Sequence, residues 1–241
     1  MIEKNEKIEN YIKLMEKIDT VVYSNEFFSL NEINKIQKAK INYSLKGLNE
    51  DSEKKVIAFY PKDFPEEYLN FPVKYFKIIK KSKFIKLEHK HYLGNILSLG
   101  IKREIMGDLV VKDEMCYGII MENMFSFLEE NLTKINSSPV EILEIEENEI
   151  PKSEFQVLNI TLSSLRIDSL VAELTNLSRN LSVQHIDLGN VQINYEVERE
   201  KDRKIEIGDV IIIKKYGKFK IEEENGLTKK NKNKLIVKKY V

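Results

Sequence analysis

Between Ser164 and Lys220 the spacing of apolar residues switches from helical to alternating, and this constrains the fold more than any bulk property. The stretch opens S-L-R-I-D-S-L-V-A-E-L, where Leu165, Leu170, Val171 and Leu174 share one helical face. Arg166 and Asp168 read as lying largely off that face. A second helix is expected to start at Ser178-Arg179 and stop at Gly189. Ser178 can accept a hydrogen bond from a free backbone N–H there, and glycine supplies the left-handed backbone that ends a helix. Val191, Ile193 and Tyr195 then alternate with Gln192, Asn194 and Glu196, as in a half-buried strand, and a Gly208-Asp209 turn feeds a further strand. The start of a helix carries unpaired N–H groups and partial positive charge, a setting suited to a phosphate. Arg179 stands there with a planar donor fork of matching geometry.

The rest of the chain supplies further units. Ile8, Ile12, Met15 and Ile18 predict an amphipathic helix over 3–20. Ser29 and Glu32 have capping-box spacing, which starts a helix read from Leu30 to Ser44. A polar loop and a strand over 55–60 follow. From Val73 the order is strand, helix over 87–99, a strand pair turning at Asp113-Glu114, a helix from 123 to 132 with Asn123 as its N-cap, and a strand over 140–145. That is the β-α-β-β-α-β ferredoxin-like pattern. The acidic stretch 146–156, with Pro151, reads as a linker. A turn at Glu224-Asn225-Gly226 joins two tail strands into a closing hairpin. The expected architecture is therefore α+β, with an N-terminal α/β region at 1–70, a ferredoxin-like middle domain at 71–150 and a C-terminal domain at 157–241.

Composition narrows the function classes. The 39 basic and 39 acidic side chains cancel, which disfavours indiscriminate coating of nucleic acid. The charges are segregated along the chain, however. Residues 74–112 hold ten Lys or Arg against three Asp or Glu, and residues 122–154 hold two against nine. This fits a localised RNA footprint, or equally two stretches that neutralise each other in the fold. No apolar run reaches the roughly 20 residues of a membrane helix, and the charged N-terminus lacks a signal core. The single cysteine, Cys116, forbids an internal disulfide and suits a reducing cytoplasm.

The combination Arg166-x-Asp168, Ser178-Arg179, Ile186, Gly189, Val191, Asn194 and Gly208-Asp209 resembles the S4 RNA-binding domain, named after a small-subunit ribosomal protein. The S4 pattern has a small alanine where this chain has Ser182, and a buried serine can bond back to the preceding turn. The likeness extends further. L-E-H-K-H-Y-L-G-N-I-L-S-L-G-I-K-R-E-I-M-G-D-L-V-V at 87–111, N-L-T-K-I at 131–135, and the endings Y-G-K-F-K, L-T-K-K and V-K-K-Y resemble the YlmH family of bacterial S4 proteins. The resemblance implies a middle RNA-binding domain, a C-terminal S4 domain and a role in ribosome-associated quality control, where large subunits remain blocked by peptidyl-tRNA. It carries no established catalytic residues.

The expected function is thus non-enzymatic binding of structured RNA, large-subunit rRNA and tRNA, in the cytoplasm, with protein partners in ribosome rescue or cell division. Arg166 and Arg179 are the expected phosphate contacts. Ser178 orders the helix start, Asn194 belongs to the same constellation, and Lys214, Lys215 and Lys218 widen the surface. Lys102-Arg103, in a loop after a glycine-ended helix and close to Gly107-Asp108, would clamp RNA backbone or form a solvated turn.

The alternatives are an S4-linked RNA-modifying enzyme, such as a pseudouridine synthase or methyltransferase, or a cell-division adaptor using the acidic stretch. No glycine-rich nucleotide loop follows a strand. Arg166-Ile167-Asp168 falls within the S4-like helix rather than on a separate catalytic domain. His89 and His91 splay apart on a helix, and Cys116 reads as a core thiol. No catalytic residue, metal ligand or cofactor is therefore expected.

Overall fold

In this computed structural model, which describes residues 2–34, 36, 41–82 and 85–240, the chain is an α+β protein with two compact units, Met1–Lys152 and Ser153–Val241. Among the described residues no helix is long and apolar enough to cross a membrane.

The first unit opens with helix α1 (Ile2–Ile18), whose Ile8 and Met15 are buried with Ile12 packed beside them. Four strands follow: β1 (Val22–Tyr23), β2 (Phe28–Ser29), β3 (Asn42–Lys46) and β4 (Lys54–Tyr60). β4 is central, with β3 antiparallel along one edge and β1 and β2 antiparallel along the other. Ile57 and Phe59 of β4 pack toward the α1 side, whereas Val56 belongs to a different cluster. The Ser29–Glu32 capping box forms, but the helix it starts, α2, covers only Leu30–Ile33. The helix expected to reach Ser44 is corrected there: Asn42–Ser44 belong to β3, and residues 35 and 37–40 lie outside the described residues. Pairing of Tyr43 with Phe59 and of Leu45 with Ile57 satisfies this backbone in a ladder, which overrides local helical spacing.

The middle of this unit comprises β5 (Val73–Lys80), α3 (His89–Ser98), β6 (Met106–Lys112), β7 (Met115–Met121), α4 (Phe125–Asn131), a short β8 (Lys134–Ile135) and β9 (Ser138–Ile145). Its strands lie in the order β6-β7-β5-β9-β8, all antiparallel, which is the ferredoxin-like arrangement with one added edge bridge. Asp113 (φ 50°) and Glu114 (φ 63°) turn β6 into β7, as two consecutive left-handed residues do in a hairpin. Asn123 does not cap α4. The Glu122 N–H donates to the Pro72 carbonyl at 2.9 Å at the end of the β5–β7 pairing, a 3-10 turn over Glu122–Met124 then precedes the helix, and Met124 takes the cap position.

One face of this sheet packs beneath α3 and α4, with Phe76, Ile78, Met106 and Ile120 against Tyr92, Ile96 and Leu128. On the opposite face Tyr75, Ile119, Met121 and Ile145 meet Phe27, Leu48 and Val56 from the N-terminal layer. The approach is close. A Cβ added at Gly107 would lie 2.5 Å from Ile119 and 2.9 Å from Phe27.

The second unit contains β10 (Phe155–Leu162), α5 (Ile167–Thr175), α6 (Arg179–Asp187), β11 (Val191–Ile193), β12 (Glu196–Val197), β13 (Val210–Ile213), β14 (Gly217–Leu227) and β15 (Asn233–Tyr240). They form one antiparallel sheet in the order β10-β15-β14-β13-β11-β12. The helices cover one face, where Ile167, Leu170, Val171 and Ile186 join Phe219, Ile221 and Val237 in the core. β10 begins inside the expected linker. The expected strand through Tyr195 ends at Ile193 instead. Asn194 (φ 50°) and Tyr195 (φ 69°) form a two-residue turn into β12, because left-handed backbone at both positions matches the twist of a hairpin. The closing hairpin turns at Thr228–Lys232 rather than at Glu224–Gly226. Gly226 (φ 69°) falls in a register shift within β14, so the Asn-Gly signal marks an irregularity in the strand and not the hairpin tip.

Candidate nucleic-acid interface

Arg166 and Arg179 converge on one carboxylate. Arg166 takes extended backbone immediately before α5, and Asp168 lies in the first turn of that helix. Arg166 donates Nε to Asp168 Oδ1 and Nη2 to Oδ2, both at 3.2 Å. Arg179, at the start of α6, donates Nε to Oδ2 at 2.9 Å, and its Nη2 lies 2.8 Å from the same oxygen. The Asp168 side chain is 3% exposed, whereas those of Arg166 and Arg179 are 37% and 56% exposed. Burial pushes the Asp168 carboxyl up, but the bonds from Arg179 and Arg166 outweigh it and hold the group below the ordinary carboxylate range. The sequence placed Asp168 largely off the apolar face, and the structure corrects this. Long-range backbone bonds, Ile167 N–H to the Arg203 carbonyl and Asp168 N–H to the Lys201 carbonyl, lay the 199–204 loop over the start of α5 and bury it.

The neighbouring residues hold this arrangement in place. Ser178 caps α6, its hydroxyl accepting from the Leu181 N–H at 3.4 Å. Ser182 is fully buried and donates to the Ser178 carbonyl at 3.1 Å, so the bond back to the preceding turn forms as expected. Gly189 (φ 70°) follows the end of α6. Asn194 joins β11 to β13: its Nδ2 donates to Asp209 at 2.8 Å and its Oδ1 accepts from the Val210 N–H at 2.9 Å. Its side-chain amide thus serves the turn.

The lysines of this unit fall in different places. Lys214 and Lys215 are exposed in the turn after β13, with the Lys214 N–H bonded to the Asn190 carbonyl beyond the C-terminal end of α6. Arg179 stands at the other end of that helix, about 13 Å away at 1.5 Å per residue. Lys218 lies on the sheet face opposite the helices, its ammonium 4.3 Å from the Tyr240 ring centre and 5.2 Å from that of Tyr195.

In the first unit Lys102 is exposed, but the Arg103 guanidinium is engaged internally, with Nη1 donating to the carbonyls of Met106 at 3.0 Å and Gly107 at 2.9 Å. Lys54 Nζ donates to the Arg103 carbonyl, and Asp108 accepts from the Glu53 and Lys54 N–H groups. The segment 102–108 therefore ties the ferredoxin-like sheet to the N-terminal layer. Antiparallel pairing of β5 with β9 brings Lys74 to Glu144 (2.6 Å), and Lys81 lies 3.5 Å from Glu141. Lys77 meets Glu149 at 3.0 Å. Much of the segregated charge is thus neutralised within the fold. His91 Nδ1 accepts from the Glu88 N–H, and Cys116 is fully buried with its thiol pushed up by burial.

A family model described as "Putative RNA-binding domain in YlmH" matches residues 65–149, which span the ferredoxin-like sheet. Over that region the chain is similar to YlmH. It is 25% identical over 197 residues to the "Ribosome-associated protein quality control protein P2" of Bacillus subtilis (strain 168), an alignment that covers 81% of this chain and 77% of that protein. The "Cell division protein ylmH from Streptococcus pneumoniae" superposes with a TM-score of 0.53 at 24% identity, over 62% of this chain and 93% of that one, and this likeness speaks for the fold. The outer-face aromatic residues near Lys218 were missed by the sequence reading. The strict alternation Lys218, Phe219, Lys220, Ile221 was the available signal.

Proposed function

We propose that this protein is a non-enzymatic RNA-binding factor of the cytoplasm that acts on the ribosome, contacting large-subunit rRNA and tRNA in the quality control of stalled subunits. The observation that carries this reading is the pair Arg166–Arg179 fixed on one buried carboxylate. Asp168 neutralises one of the two charges and orients both guanidiniums, so a net cation with further N–H groups is presented beside the start of α6. Planar forks held this way match the oxygens of a phosphate, and the helix start adds favourable backbone N–H groups. Two helices followed by a strand and hairpin, with this pair at their start, support an S4-type domain from residue 157 to the end. The family match supports RNA binding by the middle region, and the name of the Bacillus relative supports the ribosome as the site of action.

Lys214, Lys215 and Lys102 supply outlying positive charge in this reading, whereas Ser178 and Asn194 hold the scaffold. The test is cosedimentation of the full chain with ribosomal subunits across a salt series. Replacing both Arg166 and Arg179 by Glu lowers binding and flattens the dependence of log K on log salt, because fewer counterions are released. Unchanged binding in that double variant refutes the assignment.

A further inference from the structure

The sheet of the second unit is covered by helices on one face, and the other face has the chemistry of a base-stacking platform. Along the strands buried residues alternate with accessible ones. Phe219 and Ile221 are buried beside accessible Lys218 and Lys220, and Leu235 and Val237 beside accessible Ile236 and Lys238. Alternate side chains point to opposite faces, so the accessible set looks away from α5 and α6. Register gathers it into one patch: Phe155 lies opposite Tyr240, Val157 opposite Lys238, and Lys238 opposite Lys220.

The rings and cations of this patch touch. Phe155 and Tyr240 meet edge to face at 4.8 Å between centres. Lys218 Nζ bridges the rings of Tyr240 and Tyr195, and Lys238 Nζ sits 5.5 Å from the Phe155 ring. Glu222 pairs with Lys238 at 2.9 Å, near the register shift of β14. Three aromatic rings are therefore interleaved with Lys218, Lys220 and Lys238 on the sheet face opposite the helices. A ligand complementary to this set must present flat π faces and regularly spaced negative charge. Single-stranded RNA does both, whereas a duplex hides its base faces.

We infer that the outer face of this sheet is a second RNA-contact surface that takes an unpaired strand. The rings of Tyr240, Tyr195 and Phe155 stack bases, and Lys218, Lys220 and Lys238 hold the phosphates. Such platforms tolerate many sequences because every base has a π face. The inference rests on the RNA-binding reading above but uses different residues, on the opposite face from Arg166 and Arg179.

The test uses the full chain, fluorescein-labelled decauridylate and an RNA duplex of equal length, read by anisotropy. Tyr240→Leu and Lys220→Glu each weaken decauridylate binding about tenfold, in line with the cost of losing one stacked base or phosphate contact, and leave duplex binding and ribosome cosedimentation nearly unchanged. The chain has no tryptophan. Tyr240→Trp therefore supplies a single reporter whose emission falls when decauridylate stacks on it. An Ile18→Trp control, on an exposed site of α1 in the other unit, stays constant. Equal decauridylate affinity in Tyr240→Leu, or loss in Lys220→Glu alone, overturns the stacking surface. Loss of ribosome binding in the Arg166/Arg179 double variant, with decauridylate affinity unchanged in the sheet variants, sinks this inference alone. Intact ribosome binding in that double variant, with decauridylate affinity lowered in the sheet variants, sinks the phosphate-clamp reading alone.

Discussion

One oxygen of Asp168 accepts from Arg179 Nε at 2.9 Å and lies 2.8 Å from its Nη2, while Arg166 bonds to both oxygens of the same carboxylate. Two opposed effects follow from Asp168→Asn. Removing the negative charge makes the site more cationic, which favours phosphate, but it also releases two guanidiniums from their common anchor. Charge effects at such exposed arginines are damped by water and salt. Loss of orientation therefore wins, and RNA affinity falls about threefold to tenfold. Stability falls by about 1–2 kcal/mol, below the cost of orphaning a fully buried charge, because both arginines reach water. Anisotropy and urea titrations of the variant check both numbers.

Acid exposes the same pair. The Asp168 carboxyl is held below its unfolded value of about 3.9. The folded state thus binds its proton more weakly than the unfolded state, so the ion pair's contribution is fully present above about pH 4 and is lost as pH falls through the lowered folded value. Urea unfolding should show wild type and Asp168→Asn separated at pH 7 and converging toward pH 3. A gap that stays constant across that range contradicts the assignment.

Asn194 combines left-handed backbone with a side chain bonded to Asp209 and Val210. Asn194→Gly keeps the backbone easy but loses the side-chain bonds, at about 1–2 kcal/mol. Asn194→Ala loses the same bonds and keeps a Cβ in the left-handed region without the polar side chain that suits asparagine to it, at about 1 kcal/mol more than the glycine variant. Thermal unfolding ranks the three proteins. RNA affinity of the folded fraction stays level if the residue acts only as a latch.

Cys116 is fully buried in β7, and burial raises its thiol pKa. The thiolate is the reactive form, so a disulfide reagent at pH 8 labels the native protein far more slowly than it labels a free thiol. Labelling in rising urea should follow unfolding of the ferredoxin-like sheet. Rapid labelling of the native chain contradicts this packing.

What the sequence revealed depended on how local the determining chemistry is. Ser178 and Gly189 act within one helical turn, and the limits of α6 were legible from them. The fate of Asp168 was not, because its burial depends on backbone bonds to Lys201 and Arg203, far along the chain. The Asn194-Tyr195 turn was hidden because a two-residue turn preserves the alternation of a strand. β10 gave little signal, since Val157 is exposed and only Ile160 and Leu162 are buried in it. The charge blocks looked like a footprint until β5 and β9 were seen side by side. The ferredoxin-like order was legible throughout because each of its elements carries a strong period of its own.

The packing of Phe27, Leu48 and Val56 on the Tyr75 side of the middle sheet has a practical consequence. The family match begins at residue 65, yet a fragment cut there would lose all three of those side chains. Tyr75, Ile119, Met121 and Ile145 would then face water together, as an adhesive surface that self-associates and binds RNA preparations nonspecifically. Recognition and cohesion have different borders in this chain. The smallest fragment of the first unit fit for a binding measurement retains the N-terminal layer, and drift on either side of that seam must be matched on the other.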